Sequence, residues 1–335
     1  MLYSPPSSQP LTEHRPKMDS NMPLTALRDE LGNATDHASQ PALHDTTARR
    51  TDSISNAFTI DVEDYYHVAA LAPAIPQDTW EQRESRVAAS TERLLAMLDE
   101  HRVKGTFFVL GWVADHVRGL VKRIASLGHE VACHGYSHQL IYRQSPDVFA
   151  EETRRAKHLL EDLTGMPVIG YRAASFSITP RSRWALDTLI ELGFKYDSSI
   201  FPVRHDRYGM PGAAREPGPV QAPSGARIAE FPMSTAQFGG LRVPVSGGGY
   251  FRLLPYWFTR RGLRSINERE GLPFTFYLHP WEIDVDQPRV RVKALSRFRH
   301  YTNLSRCEGR LRQLLADFRF TTMAKVLKGR GLLSG

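Results

Sequence analysis

This sequence has little cysteine, no long apolar run and no block of charge of one sign. Cys133 and Cys307 are its only cysteines among 335 residues and form no CxxC pair, so a disulfide framework does not hold the fold together. No apolar stretch approaches the roughly 18 residues that cross a bilayer, and the polar, proline-rich N-terminus lacks the apolar core of a secretory signal. We therefore expect no transmembrane segment and no signal peptide. The expected location is the cytoplasm, including the inner face of the membrane.

The charge balance is mildly basic and favours no nucleic-acid partner. Lys and Arg number 43 against 36 Asp and Glu, which gives a formal charge of +7. Such an excess suits anionic partners in general. Because no basic cluster stands out, we expect an ordinary basic surface rather than a nucleic-acid footprint.

The chain divides into a polar beginning and a long globular part. Residues 1–55 are rich in Ser, Thr, Pro, Asp and His without apolar periodicity, so we expect them to be disordered. From residue 57 onward, short apolar runs alternate with amphipathic stretches, and this alternation predicts β/α units around a parallel sheet. The predicted strands are 57–61, 105–111, 129–134, 167–173 and 273–279. The predicted helices are 85–103, 113–128, 145–165, 179–193, 255–271 and 304–318. Between 201 and 250 dense Gly and Pro predict an insertion of loops and irregular short strands.

Residues suited to chemistry follow the predicted strands. One such residue lies at or near the carboxyl end of each of four predicted strands: Asp61, His134, Arg172 and His279. Ligands of parallel β/α folds bind at that end of the sheet, so we expect these side chains to meet there.

His134 and His138 are four residues apart, a spacing that lets two imidazoles bind one metal ion. A carboxylate from a neighbouring strand would complete three ligands and leave an open position, as in catalytic sites. By itself the HxxxH spacing is weak evidence, since the chain has 13 histidines.

Five motifs give these residues a common context. In chain order they are FTIDVEDYYH, HEVACHGYSH, GYRAASFS, YDSSI and FYLHPWEI. In this order they resemble the motifs of the polysaccharide deacetylase family, also called NodB-homology or carbohydrate esterase family 4. The stretch from GGGYFRLLPYWFTRRG to LSRFRHYTN is similar to the subfamily of bacterial exopolysaccharide loci of the exosortase (PEP-CTERM) type.

The resemblance implies a fold and a division of the chain. The fold is a distorted (β/α) barrel of the NodB-homology type, with the irregular Gly/Pro-rich insertion and a C-terminal helical extension. Residues 56–285 would form the catalytic domain, and residues 286–335 would be a subfamily extension packed on the barrel.

The resemblance also implies roles for single residues. Asp61 matches the catalytic base, Arg172 the arginine that orients it, and His279 the general acid. Asp197 matches a carboxylate that polarises the acid, and His134 and His138 match the metal histidines.

The metal carboxylate stays open between two neighbours. The family usually has two adjacent aspartates, which favours Asp64, whereas this chain reads Asp-Val-Glu-Asp. Strand alternation favours Glu63, because it points to the same side as Asp61.

The implied function is metal-dependent removal of N-acetyl groups from amino sugars of a bacterial exopolysaccharide or its precursor, releasing acetate. A divalent cation, with zinc expected first, is the cofactor, and an N-acetylated polysaccharide or oligosaccharide is the partner. Peripheral contact with membrane-bound polysaccharide machinery is a further expectation. Two alternatives remain: a related C–N hydrolase acting on a small cyclic amide, and an inactive carbohydrate-binding protein.

Overall fold

The computed structural model describes residues 54–205 and 208–334. The prediction that residues 1–55 are disordered therefore falls, except for Ile54 and Ser55, outside the described residues. Within the described ranges no helix combines the length and apolar character that a bilayer crossing requires.

Eleven strands are present in the described residues. In chain order they are β1 Asn56–Val62, β2 Thr106–Val109, β3 Glu130–Cys133, β4 Gly170–Tyr171, β5 Tyr196–Asp197, β6 Gly218–Gln221, β7 Arg227–Glu230, β8 Thr235–Phe238, β9 Leu241–Pro244, β10 Thr275–Leu278 and β11 Phe320–Thr321.

The main sheet has the strand order β10–β1–β2–β3–β4–β5–β7–β6, with β11 added beside the start of β1. All its pairs are parallel except β6 with β7. Since β10 and β6 do not pair, the barrel is incomplete. The predicted fold class, a distorted α/β barrel, is confirmed.

Ten α-helices surround the sheet in the described residues. They are α1 Val87–Glu100, α2 Gly111–His116, α3 Arg118–Ser126, α4 Pro146–Thr164, α5 Ala185–Glu191, α6 Gly248–Leu253, α7 Tyr256–Glu268, α8 Ala294–Tyr301, α9 Leu304–Asp317 and α10 Met323–Gly329.

Local chemistry sets the bounds of α4. Ser145 precedes the helix, and its hydroxyl accepts a hydrogen bond from the Val148 N–H, which satisfies one of the N–H groups left over at a helix start. Pro146 occupies the first turn, and Gly165 ends the helix in the left-handed conformation that glycine adopts without a steric penalty.

Two segments differ in detail from their predictions. The helix expected over 113–128 is two helices, because Val117 takes non-helical angles between α2 and α3. The Gly/Pro-rich stretch contains four short strands. Of these, β6 and β7 extend the main sheet, and β8 and β9 form a separate hairpin.

The core lies between the sheet and its helices. Every residue of β1 is buried, as expected for a parallel strand covered on both faces. The last long helix, α9, joins the same core through Cys307, Leu311 and Leu314. Both cysteines are free and buried, so neither crosslinks the fold.

Candidate active site

Four strands of the sheet deliver polar side chains to one edge. β1 carries Asp61 and runs on to Glu63, β3 leads to His134, β4 to Arg172, and β10 to His279. These strands are parallel, so their carboxyl ends lie at the same edge.

Glu63, His134 and His138 form a cluster that fits a metal ion. Each offers one ligand atom, and these atoms lie within 4.8 Å of one another. Two imidazoles and a carboxylate are a common ligand set for a catalytic divalent cation, with a further position left for water or substrate. The structure thus brings together three of the four residues predicted as ligands.

The hydrogen bond of His134 prepares it to bind a cation. Its Nδ1 lies 2.8 Å from the carbonyl oxygen of Arg172, and a carbonyl can only accept, so Nδ1 carries the proton. Burial lowers the pKa of His134 to about 4, which keeps the ring neutral and leaves the Nε2 lone pair available. An outer hydrogen bond of this kind commonly orients metal-binding histidines.

Glu63 lies between two histidines. Its Oε2 is 2.8 Å from His138 Nε2, and its Oε1 is 3.2 Å from His279 Nε2. Burial alone would raise the pKa of Glu63, but His138 and His279 hold it below the usual range. Glu63 is therefore an anion at neutral pH, as a metal ligand must be.

Asp64, the carboxylate that the family pattern favours, lies elsewhere. Its Oδ2 accepts hydrogen bonds from the backbone N–H groups of Arg86 and Val87 at 2.7 and 3.0 Å, and Oδ1 accepts one from Tyr65 at 2.9 Å. It thus stabilises the start of α1, where unpaired N–H groups favour a negative charge. The structure therefore places Glu63, and not Asp64, in the cluster with His134 and His138, on the side that strand alternation indicates.

Asp61 is held by a buried arginine. Arg172 has no exposed surface, and its Nη1 donates to Asp61 Oδ1 at 2.6 Å and to Thr59 Oγ1 at 2.8 Å. The same guanidinium donates to the carbonyl and the hydroxyl of Ser198. These contacts leave Asp61 Oδ2 facing the site, 3.9 Å from His279 Nε2.

His279 is held by a carboxylate that the sequence analysis missed. Its Nδ1 donates to Glu282 Oε1 at 2.8 Å. Burial alone would lower the pKa of His279, but Glu63 and Glu282 raise it to about 9. The ring can therefore carry a proton at neutral pH, as a general acid requires.

A second buried arginine positions Glu282. Arg252 Nε donates to Glu282 Oε2 at 2.6 Å, and this guanidinium holds the pKa of Glu282 at about 2 although burial would raise it. The available signal in the sequence was the spacing, since Glu282 follows His279 by three residues and one tight turn brings the two together.

Asp197, predicted to polarise the acid, does not contact His279. It is fully buried and accepts a hydrogen bond from Ser199 Oγ at 2.5 Å. Its other neighbour is Glu230, also buried, and burial together with the Asp197 charge raises the pKa of Glu230 well above its ordinary value. Glu230 therefore keeps its proton to a higher pH than an ordinary glutamic acid does. The carboxylate that contacts the His279 ring in the structure is Glu282, not Asp197.

A cleft opens beside the cluster. Its volume is about 580 Å³, and His67, Trp80, His138 and Tyr142 are among the residues that line it. Aromatic walls with a few polar groups are typical of sites for organic ligands, including sugars.

Comparison with known proteins finds similarity to two family models. Residues 78–196 match the family model "Polysaccharide deacetylase", and residues 198–328 match a domain of unknown function, DUF3473. The first segment is thus similar to polysaccharide deacetylases.

Curated relatives agree with this similarity over limited stretches. A peptidoglycan-N-acetylglucosamine deacetylase of Bacillus cereus is 36% identical over 75 residues, which cover 22% of this chain and 27% of that protein. A peptidoglycan deacetylase of Helicobacter pylori is 32% identical over 112 residues, or 32% of this chain and 36% of that protein. The chain therefore matches only about a quarter to a third of the length of these relatives.

Solved structures agree in fold. A protein of Mycobacterium smegmatis assigned as a polysaccharide deacetylase superimposes with a TM-score of 0.53 at 20% identity, covering 83% of this chain and 91% of that one. The allantoinase Puue also gives 0.53, at 14% identity, covering 83% and 90%. At such identities the likeness extends to the fold alone.

The residues of the site come from both matched segments. His134, His138 and Arg172 lie in the deacetylase match, whereas Arg252, His279 and Glu282 lie in the DUF3473 match. The second segment also supplies β10, the direct neighbour of β1. It therefore completes the same site and the same sheet.

The geometry predicts which carboxylate binds a cation. We expect Glu63→Gln to weaken Zn²⁺ affinity at least roughly 10- to 100-fold, the range seen when even outer contacts of a metal site are lost. Asp64→Asn, an adjacent buried acid, should keep wild-type affinity while lowering thermal stability. Calorimetric titration of the metal-free variants measures the first effect, and thermal unfolding the second. Loss of affinity only in Asp64→Asn would contradict the assignment.

The Asp197–Glu230 pair predicts a pH effect on stability. Both carboxyls have raised pKa values in the fold, chiefly through burial, so the folded chain binds more protons than the unfolded one above about pH 4. The contribution of the pair to the free energy of unfolding is fully present at lower pH, and it declines as the pH rises through the folded pKa values. Glu230→Gln keeps a donor toward Asp197 and should remove the part of this decline that comes from Glu230. Denaturant unfolding from pH 5 to 8 should show wild type losing on the order of 1–3 kcal/mol of unfolding free energy relative to the variant; parallel curves would contradict the raised pKa of Glu230.

Proposed function

We propose that this protein hydrolyses the N-acetyl groups of amino sugars in a polysaccharide and releases acetate, with a divalent cation as cofactor. The observation that carries the proposal is the arrangement of a base and an acid around one ligand cluster. Asp61 and His279 approach each other to 3.9 Å, and Glu63, His134 and His138 lie beside them. The deacetylase match over 78–196 supports the same reaction.

The residues divide the reaction between them. A cation bound by Glu63, His134 and His138 would polarise the acetamide carbonyl and make water more acidic. Asp61, oriented by Arg172, accepts the proton of the attacking water as the new C–O bond forms. His279 then donates its Nε2 proton to the sugar nitrogen as the C–N bond breaks. The products are acetate and a free amine, so atoms and charge balance.

An amide substrate explains why two separate proton carriers are needed. An amine leaves poorly unless it is protonated, so a base alone would stop at the addition step. Glu282 and Arg252 act as positioning residues, because Glu282 contacts His279 and Arg252 contacts Glu282.

The identity of the sugar and of the cation is a finer part of the proposal. One relative is named as a peptidoglycan-N-acetylglucosamine deacetylase and another as a peptidoglycan deacetylase, which supports an N-acetylated amino sugar here. The similarity of the C-terminal motifs to exosortase-type loci supports a bacterial exopolysaccharide or its precursor. For the cation we propose zinc, since two imidazoles and a carboxylate suit it, although cobalt and nickel accept the same donors.

Acetate release tests the reaction directly. We expect wild type with Zn²⁺ to deacetylate N-acetylglucosamine oligomers. Asp61→Asn should lose at least roughly 100-fold in kcat, the lower range for general acid–base catalysis, and keep its metal. His134→Ala should lose both activity and metal, because it removes a ligand.

The outcomes separate the candidate functions. Bound metal with hydrolysis of a cyclic ureide, and no acetate from any glycan, would favour the cyclic-amide alternative, which the fold of the allantoinase also allows. A folded protein with neither metal nor activity would leave a carbohydrate-binding role.

The acid can be tested apart from the base. An amide needs a protonated leaving group, whereas 4-nitrophenyl acetate releases a stable anion without help. Glu282→Gln should therefore lower kcat for the amide at least roughly tenfold and spare the ester, because the effect acts through His279. Asp61→Asn should lower both rates.

Asp284→Asn provides a matched control for Glu282→Gln. Asp284 is an equally buried carboxylate two residues away, and it pairs with Arg86 instead of His279. Equal losses on amide and ester in Glu282→Gln would argue for general damage rather than a weakened acid.

A further inference from the structure

An interrupted run of cations, which the sequence analysis did not single out, borders the site and is not used by the proposed reaction. Residues 287–307 contain six Lys and Arg and no Asp or Glu. Five of them lie between 289 and 299, and all five are exposed: Arg289, Arg291, Lys293, Arg297 and Arg299. None forms an ion pair with any residue in the described part of the chain.

Large apolar side chains stand among these cations. Leu295 is 59% exposed and Phe298 is 55% exposed. Both lie in α8, three residues apart and therefore on one face of the helix. We call this set, Leu295, Phe298 and the five cations, the α8 surface. Apolar side chains exposed together within a charged rim are typical of an interaction surface.

The inner side of α8 is firmly attached next to the site. His300 is buried, its Nε2 lies 2.7 Å from Gln287 Oε1, and its ring stacks on Trp281 with centroids 4.3 Å apart. Trp281 in turn stacks on His279 at 5.1 Å. Three stacked rings thus fix α8, with its Leu295, Phe298, Arg297 and Arg299, to the proposed acid. Arg289, Arg291 and Lys293 lie in the segment just before the helix.

A buried guanidinium adds a second attachment. Arg252 donates hydrogen bonds to the carbonyl oxygens of Arg299, His300 and Thr302. These hydrogen bonds satisfy carbonyl oxygens at the C-terminal end of α8. The outer face of the helix has no partner in the described chain.

We propose that the α8 surface docks on a membrane that contains anionic phospholipids. The five cations match headgroup phosphates in charge, and each adds to binding at such a surface. Leu295 and Phe298 would enter the boundary between headgroups and acyl chains, as the apolar side of an interfacial helix does. A soluble polyanionic glycan would use the cations but offers no apolar layer for Leu295, which favours the bilayer. Docking goes beyond the proposed hydrolysis, and its test does not depend on that activity.

Vesicle sedimentation with the full chain tests the proposal. We expect binding to vesicles that contain phosphatidylglycerol, little binding to phosphatidylcholine alone, and weakening as salt is raised. Arg291→Gln with Arg297→Gln should reduce affinity roughly 30-fold, since each cation at a membrane surface contributes on the order of fivefold. Leu295→Ser with Phe298→Ser should reduce it at least roughly tenfold.

Matched controls remove the same kinds of group from other parts of the surface. Lys122→Gln with Arg154→Gln removes two exposed cations of α3 and α4, and Val148→Ser with Met166→Ser removes two exposed apolar side chains. Both controls should bind vesicles as wild type does. All variants should retain acetate release from soluble oligosaccharides if the proposed function is correct, and a failure there would leave the vesicle result intact.

Three outcomes would overturn the proposal. The first is no binding to anionic vesicles, and the second is binding that the α8 substitutions leave unchanged. The third is equal sensitivity of vesicle binding to the control pairs, which would indicate general basicity. Binding of soluble polygalacturonate in preference to vesicles, lost with the same arginines, would assign the surface to an acidic glycan instead.

Discussion

One buried arginine, Arg172, orients both the proposed base Asp61 and the candidate metal ligand His134. A buried cation is costly unless its hydrogen bonds are satisfied by charged or polar partners, and here Asp61, Thr59 and Ser198 provide them. The backbone carbonyl of the same residue accepts the proton of His134 Nδ1. One position therefore sets the orientation of Asp61 and the tautomer of His134. Lysine could not replace Arg172, because a single ammonium group lacks the planar set of donors that reaches Thr59 and Asp61 on one side and Ser198 on the other.

The charges around the site explain why a cation suits it. Asp61, Glu63 and Glu282 are buried carboxylates, and Arg172 and Arg252 are buried guanidinium groups, which leaves one negative charge when the histidines are neutral. The raised pKa of His279 lets its ring carry a proton, and this proton balances that charge. A divalent cation would turn the balance to net positive, which favours the negative oxygen that develops during amide hydrolysis. Each carboxylate thus has its own partner: Arg172 for Asp61, the histidines for Glu63, and Arg252 for Glu282.

Local patterns predicted the fold better than they predicted contacts across it. Strand β1 follows from its apolar run, and the ends of α4 follow from Ser145 and Gly165. These signals depend on neighbours in sequence, so both elements could be predicted. The position of Glu63 could be predicted from strand alternation, whereas the usual family pattern favoured Asp64. The residues that hydrogen-bond to Asp64, 85–87, lie far along the chain from it. Asp197 was assigned by its place in a motif. Its partner Glu230 stands 33 residues away, and only the pairing of β5 with β7 brings them together. Long-range partners of this kind leave no local signal.

The proposed active site combines residues of two segments that sequence comparison separates with Asp61 and Glu63, which precede both segments. The segment matched as a polysaccharide deacetylase holds His134, His138 and Arg172, and the DUF3473 segment holds His279 with its supporting pair. Strand β10 from the second segment pairs with β1, which precedes both. Neither segment is then a portable module: without the second the sheet lacks β10 and the site lacks the proposed acid His279, and without the first the site lacks His134, His138 and Arg172. The two should therefore be inherited together, and their boundary near residue 197 marks a limit of recognition rather than a joint in the molecule.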